Sequence, residues 1–413
     1  MLSSNGLTPS IHTLSNGLRL IHKPCHGALS CCGLVVKAGS RQDGEEAGMA
    51  HFTEHMMFKG TTRRKPHQIL NRMERVGGEL NAYTTKEETF VYSLFLKKDY
   101  RRALELVSDL FFNATFPEDS FETERTIILD EINTYEDSPS ELIFDDFDNL
   151  FYPGHPLGSR ILGLPETVNA LTRDDMVAFH RRQYTTQNVA FYSQAPLPFS
   201  KVVALAEHYL GSLPMGEAPK NGASVKPIPA KGFRQVMDKD THQAHVVCGS
   251  ESFSLFEEAR TGLYFLNNIL GGPGMNSRLN VSMREKSGLV YSVESNVTSF
   301  TDTGLFTVYF GTDPKDVDRC LALLHKELKR LCEVPLNSLQ WHAAKKQLFG
   351  QVQISAENKE NNTLSMGKSL LYFNQYDSLE TLIAKIEAFT PSRLRDLANQ
   401  VFHPDHLSTL IYR

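Results

Sequence analysis

The sequence predicts an α+β fold built twice, as two homologous domains from an internal duplication, each a mainly antiparallel sheet covered on one face by helices. Three observations predict it. Strand-forming runs come in antiparallel-looking pairs, amphipathic helices come in runs, and the order of elements in the first half recurs in the second. A parallel doubly wound sheet fits that order less well.

Residues 11–23 read as a hairpin that turns at Asn16-Gly17. The Gly77-Gly78 turn precedes a β-rich run at 90–96 (FVYSLFL), and an amphipathic helix follows over 100–112. In the second half the run at 305–310 (LFTVYF) likewise precedes a helix, over 315–331. The next helix of each half has a proline-led start, at Pro117 and at Pro335. Between Leu213 and Gly232 lie Pro214, Pro219, Pro227 and Pro229 with Gly216 and Gly222, a composition that favours exposed, extended backbone. The expected organisation is an N-terminal domain over 1–213, a linker over 214–232 and a C-terminal domain over 233–413.

With 43 Lys and Arg against 48 Asp and Glu in 413 residues, the net charge is -5. No global field favours nucleic acid or an anionic membrane, so partners must be recognised locally. No apolar run approaches the roughly 18 residues of a bilayer span. The first charged side chain is Arg19, so the start lacks a signal peptide's basic n-region, and a cytoplasmic location is the expectation. Cys25, Cys31, Cys32, Cys248, Cys320 and Cys332 show no C-x-x-C pair, which argues for free thiols over a disulfide framework or a thiolate zinc site.

The chemistry concentrates in His51-Phe52-Thr53-Glu54-His55, inside a helix-forming window over 47–58. At about 100° per residue His51 and His55 stack on one face with Glu54 beside them. Two imidazoles at i and i+4 can grip one zinc ion, and the carboxylate is placed to take a proton from metal-bound water. The order H-x-x-E-H is the inverzincin pattern. A catalytic zinc normally takes three protein ligands. Glu131 is the candidate third, on a helix expected over 117–136, with Glu124 seven residues earlier on the same face. Glutamates on a helix ordinarily face solvent, and spacing alone leaves that alternative open.

His51, Glu54 and His55, followed 76 residues later by Glu131, resemble the zinc site of the pitrilysin/insulinase family of metallopeptidases, which includes the mitochondrial processing peptidases. The likeness extends to Phe58-Lys59-Gly60-Thr61, to Gly77-Gly78 with Leu80-Asn81-Ala82-Tyr83-Thr84, and to the helix from Glu124-Arg125 to Glu131. It implies one zinc per chain on His51, His55 and Glu131, with Glu54 as general base and Glu124 supporting the ligands from behind. It also implies that Asn81, Ala82 and Tyr83 lie on the peptide-binding edge, where substrate adds as a further strand.

In the second half, the segment from Gly271 to Leu279, followed by Met283 to Ser292, is similar to the family's C-terminal motif, in which an Arg and a Tyr seven residues apart contact bound peptide. Here they are Arg284 and Tyr291. A phenol can hydrogen-bond an oxygen that gains negative charge, and a guanidinium can hold a peptide carbonyl. The glycine cluster lacks the G-x-x-x-x-G-K-[ST] pattern of a phosphate loop and reads as a tight turn. The second-half counterpart of the motif helix, residues 263–270 (LYFLNNIL), has no His or Glu, and the counterpart of Glu131 falls near Phe349, so this half has no metal ligands. His242 and His245, three apart in a strand-like run, point to opposite faces and make a poor pair.

Family members of this size are half-shells that face each other around a closed chamber. Because both motifs are present in this chain, the resemblance implies a homodimer in which Arg284 and Tyr291 act on the partner chain's site. The expected function is a zinc-dependent endopeptidase for peptides or unfolded segments. The alternatives are a non-catalytic peptide-binding subunit or scaffold of the same fold, and one half of a heterodimeric peptidase.

Overall fold

A computed structural model describes residues 8–219 and 226–413, which pack as two compact units. The first takes 8–132, 160–219 and 354–378, and the second takes 133–159, 226–353 and 379–413.

The first unit is organised on six strands: β1 (Ser10–Thr13), β2 (Arg19–Pro24), β3 (Leu29–Val36), β4 (Glu79–Thr84), β5 (Thr89–Leu96) and β6 (Val189–Ala195). They lie in the order β1-β2-β6-β3-β5-β4, and every neighbouring pair is antiparallel except β2 and β6. β1 and β2 form the expected hairpin, closed by a bond from Leu14 N to Leu18 O and by Gly17 at φ +84°. β3 and β6 occupy central positions and are buried almost throughout, which is why their sequences run apolar without alternation. β4 closes the sheet and pairs with β5 alone among the described residues.

Helices Met49–Met57, Tyr100–Asn113, Arg173–Gln183 and Phe199–Leu210 cover one face and form the larger core with Leu34, Val36, Val91 and Phe191. The other face is covered as well, unlike the expectation of one helical layer. Met366, Leu370 and Leu371 of helix Lys359–Phe373 pack there on Ile21, Val35, Phe90 and Tyr192. Gly367 makes this approach possible, since a Cβ at that position would stand 2.4 Å from the Tyr192 ring.

The second unit repeats the plan with β7 (Arg234–Met237), β8 (Ala244–Ser252), β9 (Val290–Ser299), β10 (Gly304–Thr312) and β11 (Ser408–Tyr412). Their order is β7-β11-β8-β10-β9, with one parallel pair, β7 and β11, in the place that β2 and β6 hold in the first sheet. Matched order and matched direction establish the duplication. Helices Ala259–Leu270, Val317–Glu333 and Pro391–Val401 cover one face. Leu142, Ile143, Phe147 and Phe151 of helix Pro139–Phe151 cover the other, and Gly249 leaves room for the Phe147 ring.

Packing therefore divides the chain differently from the linear scheme of 1–213 and 233–413. Residues 133–159 pack in the second unit and 354–378 in the first, because each sheet has a second apolar face that these helices fill. Of the linker expected over 214–232, residues 220–225 lie outside the described residues. The six cysteines are free, with Cys31, Cys32, Cys248 and Cys320 buried. Among the described residues no helix is long and apolar enough to cross a membrane.

Candidate metal centre

The motif helix Met49–Met57 begins at Gly48, whose φ of +97° suits glycine. Its first amide groups are met from outside the helix. The buried carboxylate of Asp43 accepts from Gly48 N and Ala50 N, both at 2.9 Å. A buried acceptor at a helix start satisfies donors that have no partner inside the helix and complements the helix dipole. Burial raises the Asp43 pKa well above the carboxylate range, against the opposing pull of the two amides.

Packing sets this helix against helix Glu118–Glu136. Phe52 stacks on Phe121 with ring centroids 4.7 Å apart, and the Arg125 guanidinium lies over both rings. His55 and Glu124 each lie three residues beyond a partner of this stack, on the same helix face, and they meet: His55 Nδ1 is 3.3 Å from Glu124 Oε2. Glu131 follows two turns later and reaches the same place. Its Oε2 lies 3.9 Å from His51 Nε2 and 3.6 Å from His55 Nε2.

One donor atom from each of His51, His55 and Glu131 therefore lies within 4.8 Å of the others, and no other such trio of His, Cys, Asp or Glu occurs among the described residues. Ligand atoms around a tetrahedral zinc ion stand roughly 3.4 Å apart. Small side-chain shifts bring the trio to that spacing, and two imidazoles with a carboxylate are a donor set that suits zinc. Burial, with a contribution from His55, pushes the His51 pKa down to about 3, so its ring is neutral and has a lone pair to offer.

Glu54 sits beside this trio without belonging to it. Its Oε2 accepts a 2.6 Å hydrogen bond from the Thr84 hydroxyl, at the end of β4. Burial pushes its pKa up to about 7, with the Glu131 charge adding to the rise and the Thr84 bond opposing it.

The remaining candidates divide between the units. Asn81, Ala82 and Tyr83 lie on β4, at the free edge of the first sheet; Asn81 is exposed, while Tyr83 is half-buried and stacked on Phe90 at 4.8 Å. Arg284 is the penultimate residue of a short π-helix (Asn280–Glu285) in the second unit, and Tyr291 lies on β9. These two are neighbours, with the Arg284 guanidinium 5.8 Å from the Tyr291 ring centroid and Tyr291 85% exposed. His245 bonds Tyr309 at 2.9 Å and His242 stands exposed before the strand, so they form no pair.

Three contributors had no role assigned from sequence: Asp43, Thr84 and Lys59. Lys59 reaches Glu124 Oε1 at 2.5 Å. Thr84 and Lys59 stand within stretches of the family resemblance, but the contacts they make join segments distant in the chain.

A duplicated α+β fold with two neighbouring imidazoles and a carboxylate in one half fits a class of protein, the peptidase families whose metal site occupies one of two related domains. The chain belongs to the insulinase family, peptidase family M16. That family's model matches residues 21–164, which hold His51, His55 and Glu131, and the model described as the Peptidase M16 inactive domain matches residues 170–348. An uncharacterized zinc protease of Streptomyces coelicolor is 33% identical over 396 residues, covering 94% of this chain and 86% of that protein. The uncharacterized zinc protease YmxG of Bacillus subtilis is 30% identical over 97% of both chains. Among solved structures, a protease from Helicobacter pylori superposes with a TM-score of 0.91 at 22% identity, over 98% of this chain and 99% of that one, and so shares its fold.

Proposed function

We propose that this chain is a zinc-dependent endopeptidase that cleaves peptides or unfolded segments, with Glu54 as the general base. The observation that carries the reading is the convergence of His51, His55 and Glu131 with Glu54 alongside. A zinc ion on those three residues would lower the pKa of water there toward about 7 and polarise a substrate carbonyl.

The chain's own residues supply the rest. Thr84 engages Oε2 of Glu54, which leaves Oε1 to take a proton from the attacking water and deliver it to the leaving amine. Burial favours the protonated form of Glu54, which helps it return the proton as well as take it. Extended substrate pairs with the free edge of β4, which runs toward Thr84 and so leads a peptide backbone to the base. Main-chain pairing is largely blind to sequence, which gives broad selectivity.

The same proposal includes a homodimer that encloses a chamber, in which Arg284 and Tyr291 of one chain serve the site of its partner. Tyr291 would donate to the oxygen that gains charge, and Arg284 would hold a peptide carbonyl. The exposure of Tyr291 supports this reading. Mixing Tyr291→Phe chains with Glu54→Gln chains tests it, since one site of each mixed dimer would then be intact; no recovery of activity contradicts sharing.

The catalytic claim is tested by hydrolysis of a diverse peptide pool before and after chelation, with Glu54→Gln as control. The expected result is cleavage that chelation abolishes and that Glu54→Gln lowers about 100- to 10,000-fold while zinc stays bound. A zinc-loaded protein that cleaves nothing contradicts it and favours a peptide-binding scaffold.

A further inference from the structure

We infer that Lys59 is a positioning residue for the metal centre, which acts through Glu124 to fix the orientation and tautomer of His55. The inference rests on the reading that His51, His55 and Glu131 hold zinc.

Lys59 follows the motif helix by two residues, in the turn four residues after His55. The two side chains converge on one carboxylate. Glu124 is buried and offers Oε1 to the Lys59 ammonium at 2.5 Å and Oε2 to His55 Nδ1 at 3.3 Å. With one oxygen clamped by a cation, the plane of the carboxylate is set and the other oxygen is left as an acceptor. An acceptor at Nδ1 selects the Nδ1–H tautomer, which places the His55 lone pair on Nε2, the atom that faces Glu131.

The backbone that presents Lys59 is fixed from its far side. Thr61 forms a β-bridge with Ala114 and donates from its hydroxyl to Asp109 at 2.7 Å, and Thr115 N donates to Gly60 O at 3.0 Å. A long, flexible side chain therefore starts from a fixed point, which lowers the entropy cost of holding the contact.

His51 shows the contrast. Its Nδ1 is buried and has no hydrogen-bond partner. Of the two imidazoles, only His55 is steered by a hydrogen bond, and Lys59 anchors the group that steers it.

Electrostatics alone gives the opposite sign, and that separates the alternatives. A lysine charge near a divalent cation repels it, so a lysine without a positioning role would weaken zinc binding and its removal would tighten it. A positioning lysine strengthens binding, and its removal loosens the site, on the order of 10- to 100-fold for partners of metal ligands.

The test is zinc affinity by competition with a chelator at fixed pH and ionic strength, on the full chain. Lys59→Met is expected to weaken zinc binding at least about tenfold, and Lys59→Arg to stay within about threefold of the parent. Affinity of Lys59→Met equal to or tighter than that of the parent overturns the inference. A parent protein that takes no zinc overturns the metal reading and this inference with it. A metal-free readout covers the case in which Lys59→Met folds poorly: nitrogen-15 NMR of His55 in the parent chain is expected to report the Nδ1–H tautomer, and the Nε2–H tautomer there overturns the inference.

Discussion

The hydroxyl of Thr84 donates a 2.6 Å hydrogen bond to Oε2 of Glu54, so the last residue of edge strand β4 holds the carboxylate beside the two imidazoles. The sheet edge and the proposed general base are thereby joined in one contact. Thr84→Val keeps the shape and removes the donor; kcat is expected to fall about 10- to 100-fold, or ~1.4 to 2.7 kcal/mol, with KM within about twofold. Thr84→Ser should retain most of the activity. Steady-state kinetics on one peptide checks both, and an unchanged kcat in Thr84→Val contradicts the role.

Strand addition at β4 makes a prediction about substrates. If main-chain bonds carry the affinity, a peptide methylated at the backbone nitrogens that face the edge loses them while its side chains are untouched. KM is expected to rise about tenfold or more for such a peptide, and less for single side-chain replacements. Equal KM for methylated and parent peptides argues against pairing at this edge.

Asp43 receives two amides at the start of the motif helix. Asp43→Ala leaves both donors buried and unpaired, at a cost of about 1 to 3 kcal/mol. Denaturant unfolding of the metal-free chain measures this directly. A change below about 0.5 kcal/mol would show that the helix start is satisfied in another way.

His22 supplies a pH dependence away from the metal centre. It is fully buried on β2, with Nε2 2.9 Å from Leu197 O and Nδ1 3.1 Å from Ser193 Oγ, and burial lowers its pKa. On acidification the unfolded chain takes up this proton first. The stabilisation is thus complete above the ordinary imidazole pKa of about 6.5 and declines as pH falls toward the lowered folded value. Stability against pH should fall below neutrality, and His22→Gln should remove up to about 1.4 kcal/mol per pH unit of that slope. Identical slopes in the two proteins contradict it.

Much of the fold was legible because its signals are local. The run at 90–96, the turn at Asn16-Gly17 and the helix that starts after Pro117 are written in contiguous residues, and β5, the β1–β2 hairpin and helix Glu118–Glu136 follow them closely. The five-residue motif is local too, and helical geometry alone sets the His51 ring beside that of His55, with centroids 4.6 Å apart. Contacts between distant segments were not legible. The apolar positions of helix Lys359–Phe373 say that it packs, but not that it packs on the sheet built from residues 10–195. Strand order is equally silent in the residues themselves; only the family resemblance implies an edge at Asn81, Ala82 and Tyr83, and the structure places β4 at the end of the sheet. Thr84 and Lys59 are ordinary polar residues until Glu54 and Glu124 are brought to them.

The most direct measurement is the zinc content of the purified chain after zinc loading and removal of excess, compared with His51→Ala, His55→Ala and Glu131→Ala. One zinc per chain is expected in the parent, with substoichiometric zinc in each variant. A parent that retains none, or a His51→Ala/His55→Ala chain that still retains one, contradicts the assignment of these residues as its ligands.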